Sequence, residues 1–276
     1  MTPYSDRIAS LDSPALIATA NRMAEAARAA ILPFFRDPEL EALNKNSGQG
    51  AQEFDPVTAA DRAAEAAMRD ILAAERPDDG ILGEEFGATP ARSGLTWVLD
   101  PIDGTRGFMS GTPTWGVLIA LSDAQGPLYG LIDQPYIGER FEGGLGRAEM
   151  TGPMGRRVLK TKGPRALSEA ILFTTFPELE TEKEASGFAA VAREAKLTRY
   201  GMDCYAYALL AAGQIDLVIE SGLAPYDIQA PIAVIEAAGG IATNWTGGPA
   251  HQGGRVIAAA NEEQHRAALS LLSGFL

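Results

Sequence analysis

The stretch TWVLDPIDGTRGF, Thr96 to Phe108, decides how the rest of the chain reads. A short β-prone run leads into two aspartates three apart, Asp100 and Asp103. Pro101 lies between them and Gly104-Thr105 follows. This is a strand ending in a turn that Pro stiffens and Gly permits. Two carboxylates held this close repel unless they share a proton or a cation. Hard oxygen ligands suit Mg2+, which takes one or two carboxylates, waters and a substrate phosphate. A helix opening at Gly104-Thr105 would offer its free N–H groups to that phosphate. A polar turn with an Asp as helix cap is the plainer reading of one Asp-Gly pair. It suits the whole DPIDGT string poorly.

Upstream, Ser13-Pro14 opens a helical pattern that runs to about Phe35, with Pro at the first helical position. Residues 44–55 are polar and Gly-containing and read as a mobile loop. A second helix is predicted from Thr58 to about Ala74, where Thr58 and Asp61 have the spacing of a capping box. ILGEE precedes the TWVLD strand; TWGVLIALSD, GPLYGLIDQPY and ERFEGGLG follow it. The last two are each bounded by Gly or Pro, which predicts hairpin partners. Residues 143–157 are rich in Gly and Arg and mark the expected boundary between two subdomains, 1–145 and 146–276. Beyond it strands alternate with helices: AILFTTF, a helix over 182–196, LTRYG, a helix over 203–212, IDLVIES, a helix over 226–238, RVIAAA, and a last helix capped by Asn261. The fold class expected is α/β, an α+β N-terminal half followed by an α/β C-terminal half.

The 276 residues are enough for a sizeable core. A formal net charge of −13 argues against nucleic acid or an anionic membrane as partner, and an acidic chain handling an anionic substrate needs local cations. One cysteine, Cys204, and an N-terminus unlike a signal peptide predict a reducing, cytoplasmic setting. No apolar run approaches the roughly 20 residues of a membrane span. With two histidines, His251 and His265, and no HExxH or CxxC, a zinc site of the usual type is not expected. A P-loop and a GxSxG elbow are missing, and GGLGRAE is only a fragment of GxGxxG. Carboxylates remain: Asp100 and Asp103, the GEE pair Glu84 and Glu85, Asp61, and Asp227 in YDIQAP. Taken singly, paired glutamates are ordinarily just solvated, and Asp61 and Asp227 read as first-turn helix residues.

Together GEE (83–85), DPIDGT (100–105), DPVTAAD (55–61) and YDIQAP (226–231) resemble the inositol monophosphatase family, in its order and over about residues 14–273. The resemblance implies a layered αβαβα sandwich and a lithium-sensitive phosphatase using roughly two or three Mg2+ ions. It implies that Glu84, Asp100, the carbonyl of Ile102, Asp103 and Asp227 hold the metal, Asp100 bridging two ions. Gly104 and Thr105 would hold phosphate through their N–H groups. Asp61 and Thr105 would form a hydrogen-bonded pair orienting the attacking water, with Glu84 the third catalytic residue. Glu85 would support the ligands from behind, and Lys45 would lie on a mobile loop. The partners implied are a small phosphomonoester and a second copy of the chain in a homodimer.

Family members often read DGTxNF; here Arg106-Gly107 follows DGT, and that Arg with DCYAYALLA (203–211) is closest to the histidinol-phosphate phosphatase branch. Glu220, seven residues before Asp227, falls where the family uses a carboxylate against the non-phosphate part of the substrate. Asp203 and Arg106 would flank the same pocket. Histidinol phosphate carries an ammonium and an imidazole, so acidic residues there make electrostatic sense. The plainer reading has Glu220 bonding a sugar-like hydroxyl and Asp203 capping its helix. The alternatives weighed are an inositol or broad sugar phosphatase, and a regulatory binding module on the same fold.

Overall fold

The computed structural model describes residues 3–40, 43–44 and 56–276. Helices α1 (Tyr4–Ile8) and α2 (Ser13–Ile31) come first. A small ribbon of β1 (Leu43–Asn44) and β2 (Pro56–Val57) leads to α3 (Ala59–Glu75). Then come β3 (Gly80–Gly83), β4 (Gly87–Thr89), β5 (Thr96–Asp103), the short α4 (Thr105–Met109), β6 (Gly116–Asp123), β7 (Gly126–Gln134), β8 (Glu139–Gly144), β9 (Arg147–Gly152) and β10 (Gly155–Val158). These strands make one sheet in the order β10-β9-β8-β7-β6-β5-β3-β4. The remainder is β11 (Ile171–Thr174), α5 (Glu182–Glu194), β12 (Leu197–Tyr200), α6 (Asp203–Ala211), β13 (Leu217–Leu223), α7 (Pro225–Ala237), β14 (Ile241–Asn244), β15 (Gly254–Ala259) and α8 (Glu262–Leu272). Its strands form a second sheet, β12-β11-β13-β15-β14.

Strand alternation sorts the side chains into layers. On β5, Trp97 and Leu99 join the core made with Met23 of α2 and Met68 of α3, while Val98 points the other way, toward Tyr207 of α6 and Ile228 of α7. On β13, Val218 shares that middle core, whereas Leu217 and Ile219 pack outward with Phe188 of α5 and Leu272 of α8. The result is the αβαβα sandwich. α7 lies close on the first sheet because β7 and β8 carry glycine beneath it. A Cβ at Gly130 would come 2.2 Å from the Ala230 carbonyl, and one at Gly143 would come 2.4 Å from Val234 Cα.

Three local readings differ. The first long helix is capped by Asp12, whose Oδ1 accepts from the Ala15 N–H at 3.1 Å; Ser13 and Pro14 are its first turn, and regular helix ends at Ile31. Residues 143–157, expected to be a boundary, are strand: β9 pairs with β8, and β10 pairs with β9. Gly and Arg there serve an edge hairpin, with Arg147 paired to Glu149 along β9 and Arg156 paired to it from β10. The two sheets part between Val158 and Ile171. The helix expected at Gly104-Thr105 is α4, whereas the short β4, β10 and β14 carry too little periodicity to be read beforehand.

Candidate active site

The first sheet brings its acidic residues together by pairing. β3 runs parallel to β5 with Gly83 beside Leu99, so the chain leaving β3 delivers Glu84 next to Asp100. The Glu84 N–H donates to the Leu99 carbonyl at 3.2 Å, and its carboxyl is near enough to push that of Asp100 upward. Across from β5, Asp100 faces Leu118 and Asp103 faces Gly116, so β5 holds one extra residue. Residues three apart on a regular strand point to opposite faces; this bulge lets both aspartates converge. Pro101, with no N–H for the ladder, sits inside it.

The third carboxylate comes from α7. Asp227 stands in its first turn and accepts from the Ala224 N–H at 2.7 Å. Carboxylate oxygens of Asp100, Asp103 and Asp227 lie within 4.8 Å of one another. Burial, and then the charges of Glu84, Asp103 and Asp227, push the Asp100 carboxyl well above the usual range. Burial and the charges of Asp203 and Asp227 do the same to Asp103, against the pull of the Cys204 N–H that it accepts at 2.5 Å. Carboxylate oxygens at this density are the donor set a hard divalent cation takes.

Asp61 closes the capping box as read: its Oδ2 accepts from the Thr58 N–H at 2.8 Å and the Thr58 hydroxyl at 2.6 Å. Burial pushes its carboxyl up to about 6, and Oδ1 has no hydrogen-bond partner among the described residues. The pair expected between Asp61 and Thr105 is not made. Gly104 turns left-handed at φ +85° ahead of α4, and the tight turn carries the Thr105 hydroxyl back onto the Ile102 carbonyl at 3.1 Å. That carbonyl keeps a second lone pair. Lys45 lies outside the described residues.

Glu65 was not anticipated. It lies one helical turn after Asp61 on α3, fully buried, and accepts from the Glu85 N–H at 2.7 Å and the Phe86 N–H at 3.2 Å. It therefore holds the turn carrying Glu84 and Glu85. A Cβ at Gly83 would land 1.9 Å from its Oε1, which explains the glycine in GEE. The i, i+4 spacing to Asp61 is the one sequence signal that marks it. Glu85 itself is buried beside Arg62, at 3.7 Å.

Asp203 begins α6 at φ +47°, and its side chain does not cap that helix. Its carboxylate lies on the Gly104-Thr105 turn instead: a Cβ at Gly104 would come 2.7 Å from Asp203 Cγ, and the Thr114 hydroxyl donates to Oδ2 at 3.4 Å. Burial pushes it up to about 6, opposed by that hydroxyl and by the Arg106 charge. Glu220 is buried under the end of β11. The Thr174 hydroxyl, the Thr175 N–H and the Thr175 hydroxyl donate to its two oxygens at 3.1, 2.7 and 2.9 Å. Burial raises its carboxyl to about 7.

These raised values have a consequence for stability. A carboxyl whose folded pKa exceeds its unfolded one stabilises the protein below about pH 4 and loses that contribution as pH rises through the folded value. Asp61 and Asp203 lose theirs near 6 and Glu220 near 7, with Asp100 and Asp103 shifted in the same direction. A cation that binds the ionised cluster reverses the loss. Mg2+ is therefore expected to raise Tm more at pH 8 than at pH 5, read by calorimetry with and without chelator. An equal rise at both would contradict this account of the cluster.

The αβαβα layers, with carboxylates converging from a bulged strand and a helix N-terminus, define a metal-dependent phosphomonoesterase. The inositol monophosphatase family model matches residues 14–274, and the chain belongs to that family. The bifunctional phosphatase IMPL2 of Arabidopsis thaliana, a chloroplastic protein, is 43% identical over 83% of this chain; the match spans 64% of the plant protein, under two thirds. The histidinol-phosphatase of Streptomyces coelicolor is 33% identical over 92% of this chain and 95% of its own length. The structure of an inositol monophosphatase from Zymomonas mobilis superposes with a TM-score of 0.80 at 38% identity, covering 99% of this chain and 100% of that one. Among the described residues, no helix is long and apolar enough to cross a membrane.

Proposed function

We propose that the chain is a Mg2+-dependent phosphatase that hydrolyses histidinol phosphate. The convergence of Asp100, Asp103 and Asp227 within 4.8 Å carries the phosphatase part. The near full-length likeness to a histidinol-phosphatase, together with the Asp203 carboxylate on the Gly104 turn, favours an ammonium-bearing substrate. Glu84, Asp100, the Ile102 carbonyl, Asp103 and Asp227 would hold the ions, with the Thr105 hydroxyl fixing that carbonyl and Glu65 fixing Glu84. When bound, the metal supplies positive charge against the phosphoryl oxygens and lowers the pKa of water at the site. Gly104 and Thr105 hold the phosphate through backbone N–H groups. Asp61 accepts the proton of the attacking water on its unpartnered Oδ1, a role suited to a carboxyl held near 6. The water oxygen bonds to phosphorus, the ester P–O bond breaks, and the leaving oxygen takes up the proton that Asp61 accepted; no side chain is phosphorylated.

A second reading, inositol 1-phosphate as substrate, is favoured by the 38% identity to the Zymomonas mobilis enzyme over nearly the whole chain. Phosphate release with Mg2+ over histidinol phosphate, inositol 1-phosphate and glycerol phosphate separates the two. Histidinol phosphate is expected to lead in kcat/KM by about tenfold or more, the discrimination one good polar contact supplies. The reverse order transfers the assignment to inositol phosphate. No release from any ester overturns both and leaves a binding module.

A further inference from the structure

An exposed phenylalanine packs against Arg106, two residues after Gly104, on a well-anchored segment. β11 ends at Thr174, and Thr175 and Phe176 follow. Glu220 on the neighbouring β13 binds Thr174 and Thr175 through the three hydrogen bonds given above. Burying a carboxylate is costly unless the group is well bonded, and here the bonds go to the two residues just before Phe176. Phe176 is nonetheless 44% exposed. The Arg106 guanidinium packs over its ring, 4.9 Å from the centroid. Arg106 follows Gly104-Thr105 directly, so this contact joins the phosphate turn of the first sheet to the rim of the second. A single exposed Phe is ordinary. One fixed by a buried carboxylate and braced by a cation beside the phosphate turn has a defined orientation.

We propose that Phe176 is a specificity-determining residue, a wall that takes a flat ring on the non-phosphate part of the substrate. Arg106 braces it, and Glu220 is its positioning residue. The inference rests on the phosphomonoesterase reading of the site. A flat ring buries apolar surface against Phe176 and gains an aromatic contact. A saturated ring bearing hydroxyls would set polar groups against an apolar face without partners.

The test is the ratio of kcat/KM for a ring-bearing ester to that for glycerol phosphate, with phenyl phosphate and histidinol phosphate as the two ring-bearing probes. Phe176→Ala is expected to lower both ratios about tenfold, equivalent to about 1.4 kcal/mol, through KM rather than kcat. Phe176→Leu, which keeps apolar bulk and guards against misfolding, should lose the ratio in the same way, and Phe176→Tyr should retain it. An unchanged ratio in Phe176→Ala, a parallel fall on all three esters, or a Tyr variant as poor as the Ala variant overturns the wall. Should the wild type prefer inositol 1-phosphate to histidinol phosphate, the substrate reading fails by itself, and the phenyl phosphate ratio still decides the wall.

Discussion

Asp103→Asn is expected to lower phosphate release about a thousandfold or more while leaving the metal-free protein folded and more heat-stable. The loss follows from removing one of three converging negative ligands, since a correctly held ion contributes several kcal/mol of transition-state stabilisation and about 1.4 kcal/mol is tenfold. The gain follows from the repulsion now present: burial and the Asp203 and Asp227 charges already push the Asp103 carboxyl upward. Asn keeps the side chain's shape and its acceptor for the Cys204 N–H. Asp227→Asn should behave alike, because an amide oxygen can still accept from the Ala224 N–H. Phosphate release with Mg2+ and Tm in chelator are the two readings. A marked fall in Tm without metal would show these aspartates to be structural. Retained turnover would remove them from the chemistry.

Asp203→Asn is expected to lower kcat/KM for histidinol phosphate by about 10- to 150-fold more than for glycerol phosphate, the range of one charge-assisted hydrogen bond of about 1.5–3 kcal/mol. Asn is nearly isosteric, so the packing on Gly104 and Gly107 is kept and only the charge is lost. The same charge sets a pH dependence. Asp203 is pushed up to about 6, so it is ionised above that value and neutral below. The wild-type preference for the cationic substrate should therefore weaken as pH falls through about 6. A preference that strengthens on acidification, or a variant in which both substrates fall together, would show that Asp203 does not read the cation.

What could be read beforehand was local. The Thr58–Asp61 capping box is spelled within four residues, and the strand-end aspartates within another four. The structure adds how they meet: a bulge that sequence spacing hides, and a parallel β3–β5 pairing that sets Glu84 against Asp100. Glu65 offered only its spacing to Asp61 for that reason, because its partner Glu85 lies 20 residues on and meets it only once the helix and turn have docked. The direction of the Thr105 hydroxyl depends on a left-handed Gly104, a torsion that no residue pattern states. The expected boundary failed differently: Gly and Arg look the same in a linker and in an exposed edge hairpin.

The middle layer also governs how freely this chain can vary. α3 and α5 each turn one stripe inward and leave the rest to water. α7 lies between two sheets and buries eight consecutive residues, from Ile228 to Ile235. An outer helix can therefore drift at most positions, whereas the helix that carries Asp227 has almost no neutral substitutions along that run. The last metal-site carboxylate thus sits at the head of a segment whose burial leaves little room for change, and substitutions along it are expected to fail on packing before chemistry is affected.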